Sequence, residues 1–201
     1  MRKFAAVSVF VLLCGLFAMA QTTEPLFAVP KTEISFGYAY LHAGGIVPSD
    51  TQASQIVSQD STGMNGIAFQ FSHYLHYMNG NLGFTIDVAL NSNKPFDANG
   101  DGYTTQSYTA GPSYRLHRYG FFSPSIHALA GVSHSDLTVA VPGSVFSLKD
   151  TDFAALAGGA VDGNLTPHIA IRLAQVDYEY THHYSANQSS FRYLGGVVIR
   201  F

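Results

Sequence analysis

Phe191-Arg-Tyr-Leu-Gly-Gly-Val-Val-Ile-Arg-Phe201 ends the chain, and its alternation decides how the rest is read. Phe191, Tyr193, Val197, Ile199 and Phe201 fall on one face of an extended strand, with Arg192 and Arg200 on the other. Such a strand separates an apolar medium from a polar one. The same period of two recurs upstream. Leu82, Phe84, Ile86, Val88 and Leu90 alternate with Gly83, Thr85, Asp87 and Ala89. Ile34, Phe36, Tyr38 and Tyr40 oppose Ser35, Gly37 and Ala39, and Ile67, Phe69, Phe71 and Leu75 oppose Ala68, Gln70 and Ser72.

Eight strands follow from this pattern, at about 32–42, 64–75, 82–91, 104–116, 121–134, 152–163, 168–180 and 191–201. Long connections at 43–63, 92–103, 135–149 and 182–190 alternate with short turns at 77–81, 117–120 and 164–167. Asn79-Gly80 is a tight-turn dipeptide. In the seventh strand Ile169, Ile171 and Leu173 are odd but Val176, Tyr178 and Tyr180 even, so a β-bulge is expected near Ala174-Gln175. Pro112 and Pro124 belong near strand ends or at bulges.

The final segment resembles the closing strand of bacterial outer-membrane β-barrels. Gly196, Ile199 and Phe201 match the family's Gly-x-x-apolar-x-aromatic pattern, with Leu194 where a polar residue is usual. In that family the segment is the signal read by the barrel assembly machinery. The whole mature chain is similar to the transmembrane part of outer-membrane protein A and to the opacity-type surface proteins. A peptidoglycan-binding domain lies outside the resemblance, so cell-wall anchoring is not carried over. The implied fold is all-β, an eight-stranded antiparallel up-and-down transmembrane barrel of a Gram-negative-type bacterium. It would be porin-like in architecture, with long loops outside and both termini periplasmic.

Alternation alone also suits a soluble lipocalin-like binder with its apolar face inside. Three features favour the membrane. The polar face is rich in Gly, Ala, Ser and Thr, as a narrow bore requires. Tyr38, Tyr40, Tyr74, Tyr77, Tyr119, Phe121, Tyr178 and Tyr180 gather near strand ends as an aromatic girdle would. The third is the terminal Phe201.

The start of the chain fits export. Met1-Arg-Lys precedes an apolar run from Phe4 to Phe17, and Ala18-Met-Ala20 is a small-x-small cleavage site. Residues 1–20 read as a signal peptide, 21–31 as a periplasmic lead-in and 32–201 as the barrel. Cys14, the one cysteine, lies in that run, so the mature chain carries neither disulfide nor thiol chemistry. The formal charge of −3 becomes −5 without Arg2 and Lys3, which argues against a nucleic-acid partner.

Charged residues on a lipid face would cost about 2–4 kcal/mol at the midplane. Asp87, Arg115, His127, Arg172, Asp177, Glu179, Arg192 and Arg200 are therefore expected inside, as an ion-pair network filling the lumen or as the lining of a small channel. The narrow bore of eight strands favours the plug. Asp97, Asn99 and Asp101, with Gly102, stand as in the first half of a calcium loop, but Tyr108 occupies the position of its bidentate Glu. The alternative is an ordinary exposed turn. His182-His183-Tyr-Ser185-Ala-Asn187 resembles the His-x-Ser-Asn stretch of lipid A 3-O-deacylases. That resemblance would make His183 the base and Ser185 the nucleophile; no Asp or Glu follows Glu179, so a triad completed by Glu179 would depart from that family's order. The favoured expectation is a monomeric, non-enzymatic barrel among outer-membrane lipids, with a structural or surface-interaction role carried by its loops and no cofactor beyond that possible Ca²⁺.

Overall fold

A computed structural model describes residues 30–44, 62–75, 81–93, 102–116, 121–141, 144–183 and 186–201. They form eight strands: β1 (Thr32–Ala43), β2 (Thr62–Tyr74), β3 (Leu82–Ser92), β4 (Gly102–Arg115), β5 (Phe122–Val141), β6 (Ser144–Asn164), β7 (Ile169–His183) and β8 (Ala186–Arg200). Each pairs antiparallel with the next, and β1 pairs with β8 from Glu33↔Arg200 to His42↔Phe191, closing the barrel. Thr32 and Phe201 extend the seam by exchanging backbone hydrogen bonds of 3.2 and 2.9 Å. No helix among the described residues is long and apolar enough to cross a membrane.

Closure explains why this sequence can live in hydrocarbon. Every strand has two neighbours, so no sheet edge is left unpaired through the barrel wall. The alternation then sorts side chains in the reverse of a soluble protein. Phe36 is 57% exposed and Val197 47%, while Asp87 and Arg192 are 0% exposed. The apolar face is outside, which removes the lipocalin alternative.

The bulge falls one position from the expected place. Register shifts on both sides of β7, between Val161 and Asp162 of β6 and between Arg172 and Gln175 of β7 itself. The extra residue restores parity, so that Arg172, Gln175, Asp177 and Glu179 all face the bore.

Four expectations need correction. Residues 135–141 and 144–149 are strand and not loop: β5 and β6 stay paired out to Val141↔Ser144. Residues 182–183 and 186–190 likewise belong to β7 and β8, paired out to His183↔Ala186. Toward the β5 end, Ser133 and Ser135 on one face and Asp136 and Thr138 on the other are all polar, so the lipid-type alternation that marks the other strands fades there. Pro112 is neither at a strand end nor at a bulge. It lies within β4 opposite Phe84, where the ladder to β5 is interrupted between Ala110↔Ala130 and Ser113↔His127 without a change of register. That gap accommodates the missing N–H. Pro124 does lie near the start of β5. Tyr74 is not a girdle residue, because its even position in β2 turns it into the bore, where the Arg115 guanidinium lies 3.4 Å above its ring. Tyr77 and Tyr119 lie outside the described residues.

Candidate functional site: the filled bore

The interior is layered along the barrel axis. At the rim opposite the termini, Leu41, Ala43, Met64, Tyr103 and Leu137 form an apolar cluster. A second cluster follows, of Ala39, Ala68, Ala89 and Leu194.

Next comes a lattice of charges. Arg192 of β8 donates to Asp87 of β3 through Nη1 at 2.7 Å and Nη2 at 3.0 Å, a bidentate pair across the bore. The same guanidinium donates to Asp177 Oδ2 of β7 through Nε at 3.1 Å and Nη2 at 2.9 Å. His127 Nε2 lies 2.9 Å from Asp177 Oδ1. Gln70 and Gln175 each donate from Nε2 at 2.7 Å, to Asp87 and Asp177 respectively. Every oxygen of the two aspartates thus has a partner, which is what makes burial of these charges tolerable.

The two glutamines join this layer to the one below. Their Oε1 atoms both accept from Arg172 Nη1, at 2.8 Å for Gln175, and Ser35 Oγ lies 3.2 Å from the same nitrogen. Arg172 also donates through Nε to Asp162 Oδ1 at 2.9 Å. Arg200 bridges Asp162 Oδ2 at 3.1 Å and Glu33 Oε1 at 2.5 Å, and donates to Asn164 Oδ1. Arg115 Nη2 lies 2.9 Å from Glu33 Oε1 as an ion contact without hydrogen-bond alignment, while its Nη1 donates to the Pro30 carbonyl at 2.8 Å.

The structure therefore brings Asp87, Asp177 and Arg192 together in one layer and Arg115, Arg172 and Arg200 in the next. Glu179 is buried on the same face of β7. Two acids of the lattice, Glu33 and Asp162, were missed. Glu33 shares the odd parity of Ser35, Gly37 and Ala39, and extending that face by one step finds it. Asp162 was hidden by the small-residue run of β6, whose weak alternation concealed that Ala154, Leu156, Ala160 and Asp162 share the inner face.

Of the signal residues, Ile199 and Phe201 are exposed on the outside, whereas Gly196 faces inward directly opposite Gly37. Asp97, Asn99, Asp101 and Ser185 lie outside the described residues. His183 pairs with Ala186 at the end of the β7–β8 hairpin. Glu179 is four residues away along β7, about 13 Å of strand.

A closed eight-stranded barrel with an apolar exterior and a charged, filled interior is the architecture of the small outer-membrane β-barrel proteins, and this chain has that fold. The attachment invasion locus protein Ail of Yersinia pestis superposes with a TM-score of 0.61 at 18% identity, over 86% of this chain and 100% of that one. Neisserial surface protein A gives 0.60 at 16% identity, over 85% of this chain and 97% of that one. Ail in complex with the heparin analogue sucrose octasulfate gives 0.57 at 19% identity, over 86% and 100%. No protein-family model and no curated protein sequence matches the chain.

Proposed function

We propose that this protein is a monomeric outer-membrane barrel that neither conducts nor catalyses, and that it presents an interaction surface at the rim opposite its termini. Both termini would then lie in the periplasm, with Gly196, Ile199 and Phe201 addressing the chain to the assembly machinery and outer-membrane lipids surrounding the wall. The observation that carries this reading is the filled bore: two apolar clusters above an ionic lattice in which Arg192 pairs with both Asp87 and Asp177. At eight strands the interior is just wide enough for its side chains. In planar lipid bilayers the refolded protein is expected to give no single-channel steps. Reproducible unitary conductance from heat-modifiable material would replace this reading with the small channel.

The rim has a definite charge. Among the described residues of the strand ends there, Asp136, Asp150 and Asp152 stand against Lys149. Such a field attracts cationic partners and repels polyanions. A structural neighbour crystallised with sucrose octasulfate, but this rim is of the wrong sign for that ligand. No binding of sucrose octasulfate is expected by calorimetry, even at low ionic strength, where a basic rim would hold it best. Micromolar binding would show that the charge argument fails.

A further inference from the structure

Leu173 and Ala174 of β7 stand opposite the single residue Gly195 of β8, between the Arg172↔Gly196 and Gln175↔Leu194 pairs. Both β7 side chains are exposed on the outside, although neighbours in a regular strand alternate. Gly195 occupies an outward position between Tyr193 and Val197. Unlike Gly196 it has room for a side chain, since a Cβ there would meet only the Arg172 carbonyl oxygen, at 3.7 Å. The result is a groove of about 220 Å³ in the outer wall. Gly195 lies among its lining residues with Tyr38 and Tyr40 of β1, Leu173 and Val176 of β7, and Tyr193. The Tyr38 hydroxyl donates away to Asn65 Oδ1 on β2, and the Tyr40 and Tyr193 rings lie 6.5 Å apart, tilted by 35°.

We propose that this groove seats one acyl chain of a membrane lipid and holds it longer than the lipid around the rest of the wall. The groove is continuous with the lipid-facing belt, bordered by the exposed Phe36, Ile171 and Val197. No charged side chain lines it, so it offers nothing to a headgroup and only contact area to hydrocarbon. It is one residue wide at its floor, which suits a chain of methylenes and not a helix about 10 Å across. A glycine inside a strand, with space above it, marks a place where another molecule approaches closely.

The inference rests on the outward face being lipid-exposed, and heat-modifiability tests that separately. The protein is refolded into nanodiscs of palmitoyl-oleoyl phosphatidylethanolamine and phosphatidylglycerol, and bound lipids are counted by native mass spectrometry. The wild type is expected to retain one lipid that Gly195→Leu retains about tenfold less often, a ratio within reach of a modest loss of contact. Ile86→Ala, on the wall away from the groove, is expected to retain it. If Gly195→Leu does not fold, Ala174→Leu obstructs the same groove from β7. Equal lipid occupancy in wild type and a folded groove variant overturns the proposal. So does a wild-type dimer that the groove variants dissociate, which would make the occupant a second barrel. Loss of the heat-modifiable band in the wild type would instead overturn the membrane reading itself.

Discussion

Arg192→Ala is expected to destabilise the refolded barrel by about 3–5 kcal/mol, the cost of leaving buried charges unpaired. Arg192, Asp87 and Asp177 are each fully buried. Removing the guanidinium takes four hydrogen bonds from the two aspartates at once. His127 remains against Asp177, and Gln70 is then the one partner left to Asp87 in this layer. Water cannot easily replace the lost partner, because two apolar clusters close the rim above. The measurement is urea unfolding of the protein refolded into lipid vesicles, followed by loss of the heat-modifiable band. A second variant isolates the electrostatic part. Arg192→Met combined with Asp87→Asn and Asp177→Asn removes the charges together and is expected to recover most of the loss, since replacing a whole buried ionic group is often near neutral. An Arg192→Ala barrel that unfolds at the wild-type urea concentration would mean that the lattice fills the bore without holding it.

Legibility in the sequence followed the physics of the two solvents. β1 to β4 were readable to within two residues at each end because hydrocarbon outside and polar groups inside impose strict alternation on that length of strand. The parity break in β7 located its bulge for the same reason: Leu173 and Val176 cannot both face lipid in a regular strand. Beyond the bilayer the constraint vanishes. Asp136 and Lys149 occupy paired strands but read as loop, since either face can carry a charge in water. The lattice was legible as a set of inward charges but not as partners. Pairing depends on which strands lie across the bore, so Asp87 and Arg192, 105 residues apart, meet only once the barrel has closed.

Gly196→Val is expected to abolish folding, while Gly195→Val, its neighbour, is expected to fold. A Cβ on Gly196 would run into the carbonyl oxygen of Phe36 and the Cα of Gly37, backbone atoms of β1 that can move only if the whole strand moves. Gly37 is equally tight against Gly195 and Gly196, so the β1–β8 seam closes at its middle on two glycines facing one another. This seam joins the two ends of the chain and closes last in any order that builds the barrel by hairpins. A barrel that cannot close leaves two strand edges in hydrocarbon, each with unpaired N–H and C=O groups that cost several kcal/mol apiece. Gly195, pointing outward over open space, meets no such obstacle. The comparison is made by refolding urea-denatured chains into detergent without any assembly factor. That choice separates two roles for Gly196, since a residue needed only for recognition by the machinery would refold normally as Val in the test tube. A heat-modifiable band from Gly196→Val at wild-type yield would therefore assign the residue to recognition and remove it from closure.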